Sequence, residues 1–201
     1  MPRKKTFSFK NLIHKNFRRL EQFIFLLKSL LTPRQFIYLS CVLVGISSAL
    51  AVIILKTFAH WVFKSSQKLD DILHLPFSNS TLPIIGIIIT VIIIKKVLDG
   101  SIEKGTSQIM YAVAKKRGIM PRKQMFAQII TSSFTVGMGG SAGLESPITI
   151  TGAAFGSNYA QNYRLSYKDR TLLLACGVAA GIGAAFNAPI AGVVFAIEVV
   201  L

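Results

Sequence analysis

One carboxylate stands among small residues in the second half of the chain. The stretch over residues 139–147 reads Gly-Gly-Ser-Ala-Gly-Leu-Glu-Ser-Pro, and its carboxylate is Glu145. Pro147 suits the first turn of a helix, where a backbone N–H has no intrahelical partner, so a helix is expected to begin at or just after Glu145. The N–H groups and the dipole of a helix N-terminus favour negative charge, and the preceding glycines let an ion approach the main chain. The stretch therefore predicts an anion site in which Glu145 competes with the bound anion.

The composition indicates that this site lies in a membrane protein. Hydrophobic residues make up 52% of the chain and charged residues 15%, with a mean hydropathy of +0.54. Ordinary soluble domains are less apolar and more charged. Residues 36–63 are interrupted only by Lys56 and His60, and residues 82–94 carry no charge. These two segments predict membrane helices over about residues 33–65 and 82–98. A basic amphipathic stretch precedes them and no small-residue cleavage site follows, so neither is a signal peptide.

The net charge of +15 first suggests a nucleic-acid partner, but its distribution excludes one. Lysines and arginines crowd residues 3–34 and 95–123, on either side of the apolar segments. Such clusters set membrane topology through the positive-inside rule and attract anionic lipid. We therefore predict a multi-pass protein of the cell membrane, with membrane lipid as a partner. Its N-terminus and the loops around residues 95–123 are expected in the cytoplasm.

The chain divides into two regions. Residues 1–32 predict a cytoplasmic, basic, amphipathic helix that lies along the membrane surface, and residues 33–201 predict a transmembrane domain. A loop is expected over residues 65–81. Beyond Gly100 the apolar segments are short and interrupted, and broken helices are tolerated in a membrane only where they line a cavity. These segments span residues 107–114, 123–138, 148–163, 171–185 and 189 to the end.

Small residues near the C-terminus predict close helix packing. Gly177, Gly181 and Ala185 recur at every fourth position, so one helix face can touch a neighbouring backbone. Asn187 is expected to cap a further helix that begins at Pro189. The two cysteines and three histidines lack metal-ligand spacing, so no metal site is predicted, and both thiols are expected to be inert.

Two stretches resemble the CLC family of voltage-gated chloride channels and anion/proton antiporters. Residues 143–147, Gly-Leu-Glu-Ser-Pro, are similar to that family's G-x-E-G-P motif, with Ser146 in place of the second glycine. Residues 181–198 are similar to its A-A-F-N-A-P-x-A-G-x-x-F-x-x-E stretch. The resemblance covers about residues 33–201. It implies an all-α membrane fold of tilted and broken helices that forms the first of two inverted-repeat halves. It also implies a homodimeric chloride channel without a cofactor when the subunit is complete.

The resemblance also implies a role for individual residues. Glu145 corresponds to the gating glutamate, whose carboxylate occupies an anion site when ionised and leaves it on protonation or anion binding. The alternative is a carboxylate that only caps a buried helix. Asn187, Pro189 and Glu198 belong to the structural motif. The residues implied to bind the anion are Gly143, Leu144, Ser146 and Pro147, together with Gly105, Thr106 and Ser107 of a second segment.

That second segment departs from the family pattern. The family's G-S-G-I-P motif is expected just before the helix at Ser107, where this chain has Glu-Lys-Gly-Thr-Ser over residues 103–107. Lys104 stands where the anion-facing serine is expected, unless Thr106 or Ser107 supplies that hydroxyl. Lys104 either attracts anions or is one more cytoplasmic charge. The anion selectivity stays open for this reason.

Val199 is a further departure, because antiporter members carry a proton-passing carboxylate at this position. Valine cannot carry a proton, so the sequence favours passive conduction, with proton-coupled exchange as an alternative. The resemblance implies subunits built from two inverted halves, and this chain stops near the end of the first, so it is expected to be a fragment or to pair with another polypeptide. A non-conducting fragment or accessory subunit is then the rival function. An enzyme is not expected, because acid–base catalysis needs a partner for Glu145 and the sequence identifies none.

Overall fold

The computed structural model describes residues 31–73, 78–97 and 105–200 of the chain. Within these ranges every regular element is a helix, which agrees with the predicted all-α class. The predicted surface helix before residue 31 lies outside the described residues, as does Lys104. The helices are α1 (Pro33–Leu73), α2 (Ser78–Val97), α3 (Ser107–Lys115), α4 (Gln124–Gly137), α5 (Glu145–Asn162), α6 (Tyr167–Phe186) and α7 (Pro189–Val200).

The first two helices are longer than their apolar segments. α1 continues past residue 65 to Leu73, and α2 begins at Ser78. Most of the loop expected over residues 65–81 is therefore helical, and that expectation was wrong. No glycine or proline interrupts residues 65–73, so no residue of this polar segment breaks the helix. By length and composition, the stretches Pro33–Lys68 and Tyr167–Phe186 can each cross a membrane.

Helix α5 is the central element of the core. One apolar cluster joins it to α3, α6 and α7 and includes Ile109, Ile150 and Val178. A second cluster, which includes Leu55 and Ile148, joins α5 to α1, α4 and α6. Many large apolar side chains on the other faces of these helices are exposed, such as Ile46 at 56% and Ile92 at 55%. Buried small residues inside and exposed large ones outside are what lipid-facing helices require.

Glycines allow α5 and α6 to approach each other closely. A Cβ atom at Gly156 would lie 2.1 Å from the Leu173 carbonyl oxygen, and one at Gly152 would lie 2.3 Å from that of Gly177. The approach is reciprocal, because a Cβ at Gly177 would lie 2.1 Å from the Gly152 oxygen. Gly181 follows on the same face, near Ile148. The predicted packing face of small residues is thus confirmed.

The turn between α6 and α7 differs from the prediction for Asn187. This residue is in the left-handed region, at φ 54° and ψ 32°, and its N–H donates to the Gly183 carbonyl. It therefore ends α6, whereas a cap of α7 was expected. Asparagine tolerates this conformation and is common at the C-terminal ends of helices for that reason. Lys56 of α1 also serves the end of α6, because its Nζ donates to the Ala185 carbonyl at 2.7 Å.

Candidate functional site

Glu145 is the first residue of α5, as predicted. The N-cap position is Leu144, at φ −86° and ψ −4°, and no side chain caps it. Pro147 lies in the first turn and contributes no N–H, so the donors there are the N–H groups of Leu144, Glu145 and Ser146. The Glu145 side chain is exposed, whereas Pro147 and the residues after it are buried. An exposed carboxylate thus stands at a helix N-terminus that no side chain occupies.

The glycines before Glu145 have separate roles. Gly139 has a positive φ of 90°, and a side chain at Gly140 would lie 2.5 Å from the Thr135 carbonyl oxygen. These two residues therefore shape the turn that follows α4. Gly143 has no heavy atom within 4 Å of the position of a Cβ. The space beside Glu145 is consequently open at Gly143, the position from which an ion can approach the main chain.

The second predicted segment also lies at a helix N-terminus. Gly105 has a φ of 83°, Thr106 is the N-cap residue of α3, and Ser107 is its exposed first residue. No side chain caps this helix either. The N–H groups of Gln108 and Ile109 donate to the Gly105 and Thr106 carbonyls. The N–H groups of Thr106 and Ser107 and their two hydroxyl groups lie at the start of the helix, where an anion is favoured.

Helices α3 and α5 are joined at their C-terminal ends. Ser157 of α5 donates to the Gly118 carbonyl at 2.6 Å, and Gln161 donates to the Met120 carbonyl at 3.1 Å. Gly118 and Met120 directly follow α3. The junction therefore lies at the end of each helix that is opposite to its first residue, Ser107 or Glu145.

The C-terminal motif residues Pro189 and Glu198 belong to α7. Pro189 and Glu198 line an open groove of about 720 Å³ along α7, which contains no residue of the 139–147 stretch. Glu198 is exposed, whereas its neighbour Val199 is 8% exposed and belongs to the core cluster of α3, α5, α6 and α7. Position 199 therefore contributes to packing.

The cysteines lie closer to each other than the sequence suggested. Cys41 of α1 and Cys176 of α6 are both partly buried, and their side chains are close enough to interact. Across the described parts of the chain, no three His, Cys, Asp or Glu residues are grouped so as to hold a metal ion.

Comparison with known proteins connects these helix N-termini to a family. The family model described as voltage-gated chloride channel matches residues 85–201, which include α3 to α7. The chain belongs to the CLC family. Both helix N-termini described above lie inside the matched region of this CLC chain.

The curated relatives include both channels and exchangers by name. A putative chloride channel protein ClcB-like of Ralstonia nicotianae is 39% identical over 48% of this chain and 24% of its own length. Chloride channel protein CLC-c of Arabidopsis thaliana is 39% identical over 40% of this chain and 12% of its own. H(+)/Cl(-) exchange transporter ClcA of Yersinia pestis bv. Antiqua is 37% identical over 47% and 20%, respectively.

These matches cover only part of each relative. The matched segment of this CLC chain spans 24% of the ClcB-like protein, 12% of CLC-c and 20% of ClcA. No solved structure gave a significant match.

One set of residues was missed at the level of sequence. Arg164, Lys168 and Arg170 lie in and after the connection between α5 and α6, whereas the predicted basic loops ended at residue 123. The structure places Arg170 against that earlier loop, because its Nη1 donates to the Arg117 carbonyl at 3.0 Å. The only available signal in the sequence was a second short basic connection between two apolar segments.

Proposed function

We propose that this CLC chain contributes to a chloride pathway across the cell membrane, with Glu145 as its gate. The observation that carries the proposal is the exposed carboxylate at the uncapped N-terminus of α5. A helix N-terminus stabilises whichever anion lies beside it, whether carboxylate or chloride. An ionisable group in a membrane domain is costly, so a functional role is the default reading.

The gate follows from competition between two anions. The ionised carboxylate of Glu145 occupies the site that the N–H groups of Glu145 and Ser146 favour, and chloride is excluded. Protonation removes the charge of the side chain, so the site then favours chloride. Gly143, Leu144 and Pro147 shape the approach. The pathway is therefore expected to conduct more at acidic pH.

The N-terminus of α3 is proposed as a second anion site. Thr106 and Ser107 supply hydroxyl donors, Gly105 gives the main chain access, and Lys104 attracts the anion electrostatically. The first-turn N–H groups of α3 have no side-chain cap, which supports this role. Together with the Glu145 site, it gives the pathway two successive helix N-termini without any cofactor.

We propose passive conduction in preference to proton-coupled exchange. Val199 is an apolar packing residue at the position of the second carboxylate of antiporters, and it cannot relay protons. Exchange is the second candidate, because one relative is named an H(+)/Cl(-) exchange transporter. The two differ in one measurement, since only an exchanger moves protons against a chloride gradient. A homodimer with cytoplasmic N-termini is the expected assembly.

Substitution of Glu145 tests the gate. The chain is reconstituted in proteoliposomes, and chloride efflux is followed with an ion-selective electrode between pH 4 and pH 8. We expect wild-type efflux to be higher at the acidic end of this range, because a protonated carboxyl group no longer competes with chloride for the helix N-terminus. Glu145→Gln cannot ionise, so it is expected to conduct at all pH values. Glu198→Gln removes the other exposed carboxylate of the α5–α7 region and is expected to keep the wild-type pH profile.

Two results would contradict the gate. One is a pH-dependent efflux that persists in Glu145→Gln, and the other is an identical loss of pH dependence in Glu198→Gln. A chimera addresses the rival function of a non-conducting fragment or accessory subunit. In it, the matching segment of the ClcB-like protein is replaced by the segment of this chain. If the chimera conducts and responds to Glu145→Gln while the chain alone is silent, the segment is pathway-forming but incomplete by itself.

A further inference from the structure

Two loops distant in sequence are fastened together at one end of the helix bundle. The α3–α4 connection spans residues 116–123, and the α5–α6 connection spans residues 163–166. Arg170 bridges them, because its guanidinium donates to the Arg117 carbonyl at 3.0 Å and to the Leu165 carbonyl at 3.3 Å. Arg122 also donates to the Asn162 side chain. The two connections therefore form one surface.

This surface is strongly cationic. The acidic residues between positions 111 and 170 are Glu145, at the far end of α5, and Asp169. The Asp169 carboxylate accepts a hydrogen bond from the Ser166 hydroxyl at 2.6 Å, in the first turn of α6. Positive charge thus far exceeds negative charge here. We define the basic surface by the residues Lys115, Arg117, Arg122, Arg164, Lys168 and Arg170.

The backbone presents two of these cations in a restricted geometry. Arg117 and Arg164 have φ values of 51° and 50°. These values lie in the left-handed region of the backbone, which few residues other than glycine and asparagine adopt. Each arginine lies just after a helix end, and the bridge from Arg170 holds both connections. The main chain at the two arginines is therefore restrained, and both residues are kept at this surface.

Apolar and aromatic side chains flank the cations. Ile119 is 44% exposed, Tyr167 is 47% exposed and Phe126 is 59% exposed. Tyrosine beside lysine and arginine is typical of the boundary between lipid headgroups and acyl chains, where each side chain meets its preferred medium. A nucleic acid or acidic peptide offers no acyl region for Ile119 and Phe126. The combination therefore favours a lipid as the occupant.

We propose that the basic surface binds the phosphate group of an anionic phospholipid in the adjacent membrane leaflet. Arg117 and Arg164 contact the phosphate as charge-assisted donors, and Ile119 and Tyr167 contact the upper acyl chains. The site is separate from Glu145, because it lies at the C-terminal end of α5 and Glu145 is the first residue of that 18-residue helix. It does not depend on the role of Glu145.

Binding is measured on the purified full chain in neutral detergent by microscale thermophoresis. The probes are dioctanoyl phosphatidylglycerol, dioctanoyl phosphatidylcholine, inorganic phosphate and a glutamate-rich peptide. We expect phosphatidylglycerol to bind more tightly than the other three. Each neutralised cation near a headgroup is expected to weaken binding by about fivefold, so the double variant R117Q/R164Q should bind about 25-fold more weakly.

The matched control removes the same charge at another place. Lys95 and Lys96 are exposed at the end of α2, so K95Q/K96Q keeps the basic surface intact and should bind as the wild type does. If R117Q/R164Q misfolds by circular dichroism, K115Q/K168Q replaces it, because these two side chains are exposed and lie within helices.

Four results would overturn the proposal. Equal affinity for phosphatidylglycerol and phosphatidylcholine would exclude recognition of the lipid charge. Equal losses of phosphatidylglycerol affinity in R117Q/R164Q and in K95Q/K96Q would show that the lipid responds only to the total charge of the chain. Inorganic phosphate bound as tightly as the lipid would indicate a free-phosphate site. Tighter binding of the acidic peptide would identify a protein partner.

Discussion

At the residue scale, the environment of each glycine decides whether it serves packing or access. Gly156 lies directly against the Leu173 carbonyl, whereas Gly143 faces open space beside Glu145. Both positions use the absence of a side chain. At Gly156 it permits close contact between helices, and at Gly143 it leaves room for an ion. The sequence shows both residues in glycine-rich stretches, and only their surroundings separate the two roles.

A pair of alanine substitutions tests this distinction. Gly156→Ala places a methyl group 2.1 Å from a backbone oxygen, so α5 and α6 must separate. We expect a loss of about 2–3 kcal/mol and a Tm lower by about 5–10 °C, measured by thermal unfolding in detergent. Gly143→Ala meets no atom and should change stability by less than about 0.5 kcal/mol. Equal Tm values for the two variants would contradict the close approach of α5 and α6.

At the element scale, α1 and α6 run side by side and share contacts a full turn apart. The side chains of Cys41 and Cys176 are close enough to interact, and four residues further along each helix a Cβ at Gly45 would lie 3.7 Å from that of Ala180. The repeated spacing indicates a continuous contact between the two helices. The sequence placed each cysteine in an apolar segment, but pairing across 135 residues is a property of the packing.

Oxidation tests this helix pair. Copper phenanthroline with dissolved oxygen removes two electrons and two protons from neighbouring thiols and leaves one S–S bond. The chain has two cysteines, so the number of titratable thiols should fall from two to zero without a covalent dimer. Non-reducing peptide mass spectrometry should detect the linked α1 and α6 peptides.

Cys41→Ser is the control for this experiment, and it should retain one thiol after the same treatment. Two unreacted thiols in the wild type, or cross-linking only between chains, would contradict the contact between α1 and α6.

At the scale of the whole molecule, the positive charges are concentrated at helix ends and connections. Lys95 and Lys96 end α2, and the basic surface joins the α3–α4 and α5–α6 connections. Under the positive-inside rule, these charges predict the membrane orientation of the chain. The basic surface is expected on the cytoplasmic side.

Labelling with a membrane-impermeant amine reagent tests this orientation. Lys115 and Lys168 are exposed, so they should react in inside-out vesicles and stay protected in sealed right-side-out vesicles. Peptide mass spectrometry identifies the labelled lysines, and detergent-opened vesicles set the maximum for each site. Reaction of Lys115 from the outside of sealed vesicles would reverse the predicted topology.

The sequence by itself determined the helix N-terminus at Glu145, since proline and small residues act locally on backbone geometry. It also determined the all-α membrane class and, through two motifs, the CLC family. Local rules failed over residues 65–73 and at Asn187, because a polar run can continue a helix and asparagine can end one as well as begin one.

The tertiary structure alone decided which distant residues meet. Hydrogen bonds from Ser157 and Gln161 of α5 to the Gly118 and Met120 carbonyls join the C-terminal ends of α3 and α5. At the same junction, Arg170 donates a hydrogen bond to the Arg117 carbonyl, and this contact joins the two connections into the basic surface. Side-chain chemistry and local helix signals depend on neighbours in the chain, whereas these associations depend on packing between helices, which no short motif records.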